Sequence, residues 1–319
     1  MSRTIGHEEL RSFCEDVLEA AGLSSEHASV VGGSLVEANL RGVDSHGVMR
    51  LPIYVQRMEM GLVNVRPELR VERTADATAT LDADDGPGQV ATLEAMRVAV
   101  DLARRAGAGV VSIRNSTHFG AAAFFAMEAC RADMIGIALT HAGADVVPYG
   151  GRLARLGTNP IGIALPTEEW PPLVLDMATS IVALGKVFVA AAEGRDIPPD
   201  WAVDEHGNPC TDPNRVRAVR PMAGPKGSGL ALVIDALCAL LAGAAFGVHI
   251  RRMYEDFSEP QRISHLVLAL DPARFVPVGE FKKRMVELAR EVKDTPPEDG
   301  FDEVRTPGEV EARTESIRR

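Results

Sequence analysis

Over the first sixty positions apolar residues recur at helical spacing. Leu10, Phe13, Val17 and Leu18 mark one face of a helix that stops near Gly22. Ser24 or Ser25 suits the cap of a second helix, which carries Val30, Val31, Leu35 and Ala38 towards Gly42. A third begins near Gly47, holds Pro52 in its first turn, where proline is tolerated, and carries Arg50, Tyr54 and Arg57 before Gly61. After Pro67 the pattern changes. Short strands are expected at 69–72 and 79–81. Helix and strand then alternate: helix 89–106, strand 110–113, helix 121–131, strand 134–139. Strands near 161–165 and 173–175 precede a helix over about 181–193. Residues 194–225, rich in Pro, Asp, Asn and Gly, read as a long loop. A helix over about 226–241, a strand over 265–270 and a helix over 278–293 follow, and the tail after Asp294 is charged and Pro-bearing. Such alternation predicts an α/β sheet covered by helices.

The chain has 319 residues, enough for one large or two modest domains. Its formal net charge is -11. An acidic surface repels phosphate backbones and anionic membranes, so nucleic acid and membrane are not expected as partners, and an anionic substrate needs a locally basic pocket. Cys14, Cys130, Cys210 and Cys238 form no C-x-x-C pair, which speaks against a zinc ribbon or a disulfide framework and fits a reducing cytoplasm. The N-terminus lacks the basic and apolar regions of a secretory signal. The apolar stretch 229–249 is broken by Asp235 and reads as a buried helix.

Five segments carry candidate chemistry. Asn115-Ser116-Thr117-His118-Phe119-Gly120 closes an apolar strand, and an imidazole held there can exchange a proton with a substrate oxygen. Arg41 to Arg50 sets Ser45, His46 and Arg50 at a break between helices, where a guanidinium can hold a carboxylate; a capped turn with a solvated Arg looks the same. Gly157-Thr158-Asn159-Pro160 and Asp176-Met177-Ala178-Thr179-Ser180 put polar groups at strand ends, with plain turns and caps as the alternative. Gly224-Pro225-Lys226-Gly227-Ser228-Gly229 enters an apolar helix and suits a phosphate or a nicotinamide ribose, but lacks Walker A spacing. Gly86-Pro87-Gly88-Gln89-Val90-Ala91 matches G-x-G-x-x-A, yet no ribose-binding acid ends the next strand, so a Rossmann site is not favoured; Arg114 suits a 2′-phosphate instead. His46, His118 and His141 have no metal-ligand spacing, and no metal is expected.

In this order the segments resemble the malate/L-lactate dehydrogenase-type oxidoreductases: Ser45-His46-Gly47 with Arg50, Ser116 to Gly120, Gly157 to Pro160, Asp176 to Thr179, Lys226 to Gly229 and a late Pro307-Gly308-Glu309. The resemblance spans nearly the whole chain. Residues 146–151, 197–213 and the pair Phe246-Gly247 with Met253 to Asp256 look most like the ureidoglycolate dehydrogenase subgroup. It implies a non-Rossmann malate/L-lactate (sulfolactate) dehydrogenase-like α/β fold, with N-terminal helices and a mixed sheet covered by helices. It also implies a single catalytic unit over 1–319, in which 1–72 with 255–319 form a helical, dimerisation and substrate part and 73–254 the nicotinamide part. The implied protein is a cytoplasmic homodimer with active sites near the subunit boundary.

The implied reaction moves a hydride between NAD or NADP, NAD favoured, and a small 2-hydroxy or 2-oxo acid. His118 matches the catalytic histidine and also a cofactor contact, with His46 and Arg50 beside it. Ser45, Arg50, Tyr54, Thr158 and Asn159 match the substrate side. Asp176, Met177, Ala178, Lys226, Gly227, Ser228, Thr306, Pro307, Gly308 and Glu309 match cofactor contacts. His141-Ala142 stands where many members carry a polar pair, which puts a second imidazole near the site. Members usually continue after Pro307-Gly308-Glu309 into another helix, whereas this chain stops soon after. The alternatives are malate, lactate or sulfolactate as substrate, reduction of a cyclic imine carboxylate, and a catalytically silent binding protein.

Overall fold

A computed structural model describes residues 4–168 and 171–319. The chain begins with helices α1 (His7–Ala20), α2 (Ser25–Leu40) and α3 (Leu51–Glu59). Strands β1 (Arg70–Arg73) and β2 (Thr78–Asp82), helix α4 (Gly88–Ala106), strand β3 (Ala108–Ser116), helix α5 (Ala122–Cys130) and strand β4 (Ile135–Thr140) follow. Then come β5 (Ile161–Leu165), β6 (Leu173–Met177), α6 (Leu184–Ala192), the short strands β7 (Ala202–Val203) and β8 (Ala218–Val219), and α7 (Pro225–Asp235). Strand β9 (Ile263–Leu270) and helices α8 (Val278–Lys293) and α9 (Glu309–Arg318) complete it.

The main sheet has seven strands in the order β1-β2-β3-β9-β4-β5-β6. Only β2 and β3 run parallel; every other pair is antiparallel, so the sheet is mixed. β3 and β4 are both antiparallel to β9, and β6 is two antiparallel steps from β4. The C-terminal ends of β3, β4 and β6 therefore share one edge of the sheet with the start of β5. Six of the eight residues of β9 are buried, as the centre of a sheet covered on both faces requires. β9 also shows that the subdivision drawn from the sequence does not follow the sheet: a strand from beyond residue 255 completes the middle of the 73–254 part.

Helices α4 and α5 cover one face with small residues, including Ala95, Ala99, Ala122 and Ala129. The close fit explains two strand glycines. A Cβ on Gly109 would stand 1.9 Å from the carbonyl oxygen of Ala99, and one on Gly136 would stand 2.1 Å from that of Ala126. On the other face, Ile234 and Cys238 of α7 and its continuation pack on Leu139 and Leu266. The N-terminal helices form their own core around Leu18, Val31 and Leu35 and join α4 at Val90.

Several expectations shift in detail. Cys14 and Leu18 make the buried face of α1, whereas Phe13 is exposed. Ser24 caps α2 by accepting the His27 N–H at 3.2 Å. The third helix starts at Leu51; the segment before it forms two single 3-10 turns, Asp44–His46 and Val48–Arg50, pinned by Asn39, whose Oδ1 accepts the Val48 N–H. The loop expected over 194–225 contains the β7–β8 pair, closed over Val146 and Ile197. The charged tail, expected to stop without the helix that follows Pro307-Gly308-Glu309 in the family it resembles, does form one, α9, which docks on the N-terminal helices: Arg318 pairs with Asp44 and Glu315 with Arg41.

Candidate active site

A cleft of about 680 Å³ runs along the edge where β3, β4 and β6 end. Backbone groups beyond strand ends have no ladder partner, so polar chemistry collects there on a rigid support. Its lining includes the group Ser45, His46, Arg50 and His118, then Thr158 and the stretch from Asp176 to Ala178, and the turn Thr306, Pro307 and Gly308.

His118 lies just beyond β3. Its Nδ1 is 2.7 Å from the Tyr54 hydroxyl and 3.3 Å from the Gly120 N–H, so that nitrogen is held from behind. The His46 ring stacks on it with centroids 5.8 Å apart, and Nδ1 of His46 meets the Ser45 hydroxyl at 3.0 Å. Burial, followed by the positive charge of Arg50 and the neighbouring His46 and His265 rings, holds His118 well below the usual imidazole range. Burial and Arg50 likewise bring His46 down to about 4.

Arg50 is 9% exposed, and among the described residues no carboxylate pairs with it. Its Nε donates to the Ser45 carbonyl at 2.7 Å and its Nη1 to the Tyr254 hydroxyl, while the guanidinium lies 5.5 Å from the centre of the Tyr254 ring. A buried cation without a counter-ion costs about 3–5 kcal/mol unless something else offsets it. Tyr254 is delivered by a loop that Arg57 ties down through the carbonyls of Met253, Asp256 and Glu259.

Asp176, at the end of β6, accepts the Ala123 N–H in the first turn of α5 at 2.9 Å. Its carboxyl opens into the cleft yet is ringed by protein. That encirclement pushes it up to about 6, against the pull of the Ala123 N–H and Arg41. The Thr306–Gly308 turn is pinned to the edge of β6, where Pro307 accepts the Val174 N–H at 3.2 Å.

Other sequence candidates stand elsewhere. Tyr54 does not line the cleft; it is 7% exposed and sits behind His118. Asn159 is fully buried, accepting the Ala142 N–H at 3.0 Å and donating to the Ala231 carbonyl at 2.8 Å. Lys226, Gly227 and Ser228 are outside the cleft lining. Lys226 is exposed, Gly227 presses on the Met222 and Thr179 carbonyls, and the Ser228 hydroxyl accepts the Tyr149 N–H. Glu309 closes the turn before α9 by accepting the Thr306 N–H and pairs with Lys293 and Arg313.

His141 is not at the cleft. It is 1% exposed, with Nδ1 on Asp235 at 2.9 Å and Nε2 accepting the Ser264 N–H at 2.9 Å. The G-x-G-x-x-A segment also has a structural purpose: the Gly88 N–H donates to Thr117, and a Cβ there would stand 2.2 Å from the Thr117 carbonyl oxygen. Arg114 pairs with Asp82. Among the described residues no three His, Cys, Asp or Glu side chains gather as a metal site would.

Sequence reasoning missed Tyr254, Gln89, Arg252 and Asp145. Gln89 was visible only inside the G-x-G-x-x-A segment. Arg252 and Asp145, which line the cleft as an ion pair, are 107 positions apart, so no local pattern joins them.

Comparison with known proteins gives a consistent result. The sequence profile of the malate/L-lactate dehydrogenase family matches residues 5–319. The chain is 39% identical over 305 residues to the ureidoglycolate dehydrogenase (NAD(+)) of Escherichia coli strain K12, covering 96% of this chain and 87% of that one. It is 36% identical over 277 residues to the (2R)-3-sulfolactate dehydrogenase (NADP(+)) of Chromohalobacter salexigens, covering 86% and 83%. The crystal structure of malate dehydrogenase from Entamoeba histolytica superposes with a TM-score of 0.95 at 30% identity, covering 100% of this chain and 92% of that one. Profile, sequence and fold agree over almost the entire length, and the chain belongs to the malate/L-lactate dehydrogenase family of nicotinamide-dependent oxidoreductases.

Proposed function

We propose that this protein is a cytoplasmic, homodimeric 2-hydroxy-acid dehydrogenase that uses NAD, with ureidoglycolate as its substrate. The observation that carries the reading is Arg50: a buried guanidinium with no acid partner among the described residues, on the same cleft wall as His118. A substrate carboxylate is the missing counter-ion. Ser45 and Tyr254 fix the fork of Arg50 and leave Nη2 for that carboxylate.

The cleft fits a nicotinamide cofactor. The small residues Gly120 to Ala123 make one wall, and Asp176 offers an acceptor for a ribose hydroxyl. Met177, Ala178 and the Thr306–Gly308 turn would hold the rest. Along this part, Glu37, Asp176 and Glu311 face Arg41 and Arg305, three acids against two bases, a balance that disfavours a 2′-phosphate and favours NAD. When bound, the cofactor supplies hydride acceptance or donation at the substrate carbon. His118 handles the proton. Because its conjugate acid is destabilised, the ring is neutral at pH 7; in the tautomer that leaves Nε2 bare it takes the hydroxyl proton in oxidation, and its protonated form returns that proton readily in reduction.

The choice of acid rests on the wall beyond Arg50. Arg252 there is bound by both Asp145 and Glu255, so the group keeps a net negative charge. Such a wall repels a second carboxylate or a sulfonate and offers acceptors to the N–H groups of a ureido substituent. The dimer reading is supported by exposed apolar side chains, among them Leu232, Val233, Leu240 and Leu241 of α7 and its continuation, which a second copy would cover. The four free cysteines, all buried, suit a reducing compartment. No helix among the described residues is long and apolar enough to cross a membrane.

The test is reduced-nicotinamide absorbance with NAD or NADP against ureidoglycolate, malate, lactate and sulfolactate, and in reverse against 2-oxo acids and cyclic imines. The strongest signal is expected with ureidoglycolate and NAD. Preference for malate or sulfolactate would overturn the substrate, and turnover of imines alone would move the protein to that reaction. Light scattering should give twice the chain mass of 34.2 kDa.

A further inference from the structure

Behind His118 lies a hydrogen-bond chain that the reaction above does not use. Gln89, in the first turn of α4, is 1% exposed. Its Nε2 donates to the Tyr54 hydroxyl at 3.1 Å, and that hydroxyl is 2.7 Å from Nδ1 of His118. The Gly120 N–H, which can only donate, points at the same nitrogen from 3.3 Å. Nδ1 is therefore an acceptor and Tyr54 its donor, and the neutral ring carries its hydrogen on Nε2. No carboxylate among the described residues bonds to either Tyr54 or His118; the charged and titratable groups facing the ring are Arg50, His46 and His265.

From this geometry we infer that Gln89 is a positioning residue whose amide, acting through Tyr54, selects the nitrogen of His118 that carries the hydrogen. The inference rests on the dehydrogenase reading only for its consequence in turnover. In the arrangement seen, Nε2–H can donate to the carbonyl oxygen of an oxo acid. When the amide turns over, its oxygen accepts the Tyr54 O–H, Tyr54 accepts Nδ1–H, the long 3.3 Å contact from the Gly120 N–H is given up, and Nε2 is left bare to take a hydroxyl proton. A side-chain amide offers a donor and an acceptor in nearly the same space; a carboxylate or a hydrocarbon does not. Ring, phenol and amide hold the same number of hydrogens in the two arrangements; the change of tautomer gives the Nε2 hydrogen to water in the cleft and takes one from water at Nδ1 as the ring swings off Tyr54.

Protein labelled with nitrogen-15 histidine tests this without substrate. Two-bond proton–nitrogen spectra read the tautomer, and His118→Asn identifies the signal. The wild type should show Nε2–H. Gln89→Glu, a fixed acceptor, should show Nδ1–H, and the same substitution in a Tyr54→Phe background should restore Nε2–H. A folded Gln89→Glu protein that keeps Nε2–H overturns the inference. If that variant does not fold, Gln89→Met serves: kcat should fall about tenfold with KM and cofactor affinity unchanged, and an unchanged kcat overturns the inference. A tautomer switch in a protein that turns over no acid would refute the dehydrogenase reading and leave this one standing.

Discussion

His118 and His141 stand at matching ends of the two strands that flank β9, yet their surroundings differ. His141 has both ring nitrogens bonded inside the protein, to Asp235 and to the Ser264 N–H. It joins α7 to the sheet. His118 has one nitrogen bonded, to a neutral phenol, and its neighbours are a guanidinium and other imidazoles. An acid on one ring nitrogen and a backbone N–H on the other make a histidine a staple. A neutral partner behind and a cation beside it make a histidine that gives up its proton easily. Burial alone does not distinguish the two; what occupies the second nitrogen does.

The largest effect expected from breaking this comparison is at His118. His118→Ala should lower turnover by about 10²–10⁴-fold, the scale of a lost acid–base group, while cofactor binding followed by fluorescence persists. Turnover within a few-fold of wild type would remove His118 from the reaction. Arg50→Met comes next. Loss of a buried carboxylate partner should lower kcat/KM by about 10²-fold, chiefly through KM for the acid, and a hydroxy substrate lacking the carboxylate should lose the distinction between variant and wild type.

Asp235→Asn tests the staple. It should lower the free energy of unfolding by roughly 1–3 kcal/mol, the range for an impaired buried hydrogen bond, with kcat per folded molecule nearly unchanged. A fall in kcat comparable to that of His118→Ala would mean that His141 also belongs to the chemistry.

The smallest effect is in pH dependence. Oxidation needs neutral His118, whose pKa lies below the ordinary 6.5, so the acid limb of kcat/KM should lie below pH 6.5. Removing the Arg50 charge should move that limb upwards. Stability should respond in the same window. Burial depresses His46 to about 4 and His265 to about 3, so the unfolded chain binds more protons below pH 6.5. Their contribution is fully present above 6.5 and is lost as pH falls towards 4 and below. Denaturant midpoints measured from pH 7 to pH 4 should decline, and a flat profile would contradict the burial of these rings.

Much of the fold was legible locally. The alternation after Pro67 marks strands and helices because burial against a two-sided sheet imposes a period on each. The third helix was expected four residues early because Gly47 is fitted against Asn39, eight positions back: a Cβ there would stand 2.2 Å from Asn39 Oδ1, and no local pattern shows that. Glycine motifs misled in the other direction. Gly88 and Gly227 looked made for a ligand, but both admit a neighbouring carbonyl, and sequence does not say which partner needs the room.

The sequence by itself determined most of the elements, the acidic charge and the set of reactive side chains, because periodicity and composition act over a few residues. It also carried the family resemblance through Ser45 to Arg50, Ser116 to Gly120 and Pro307 to Glu309. Only the tertiary structure decided which of those groups act together. Tyr54 moved from the substrate side to the back of His118, His141 became a strut, and Tyr254, 204 residues away in sequence, came to hold Arg50. The physical reason is the sheet order: β9 inserts between β3 and β4, the strand ends meet at one edge, and hydrogen bonds across that edge depend on distances in space that chain spacing does not encode.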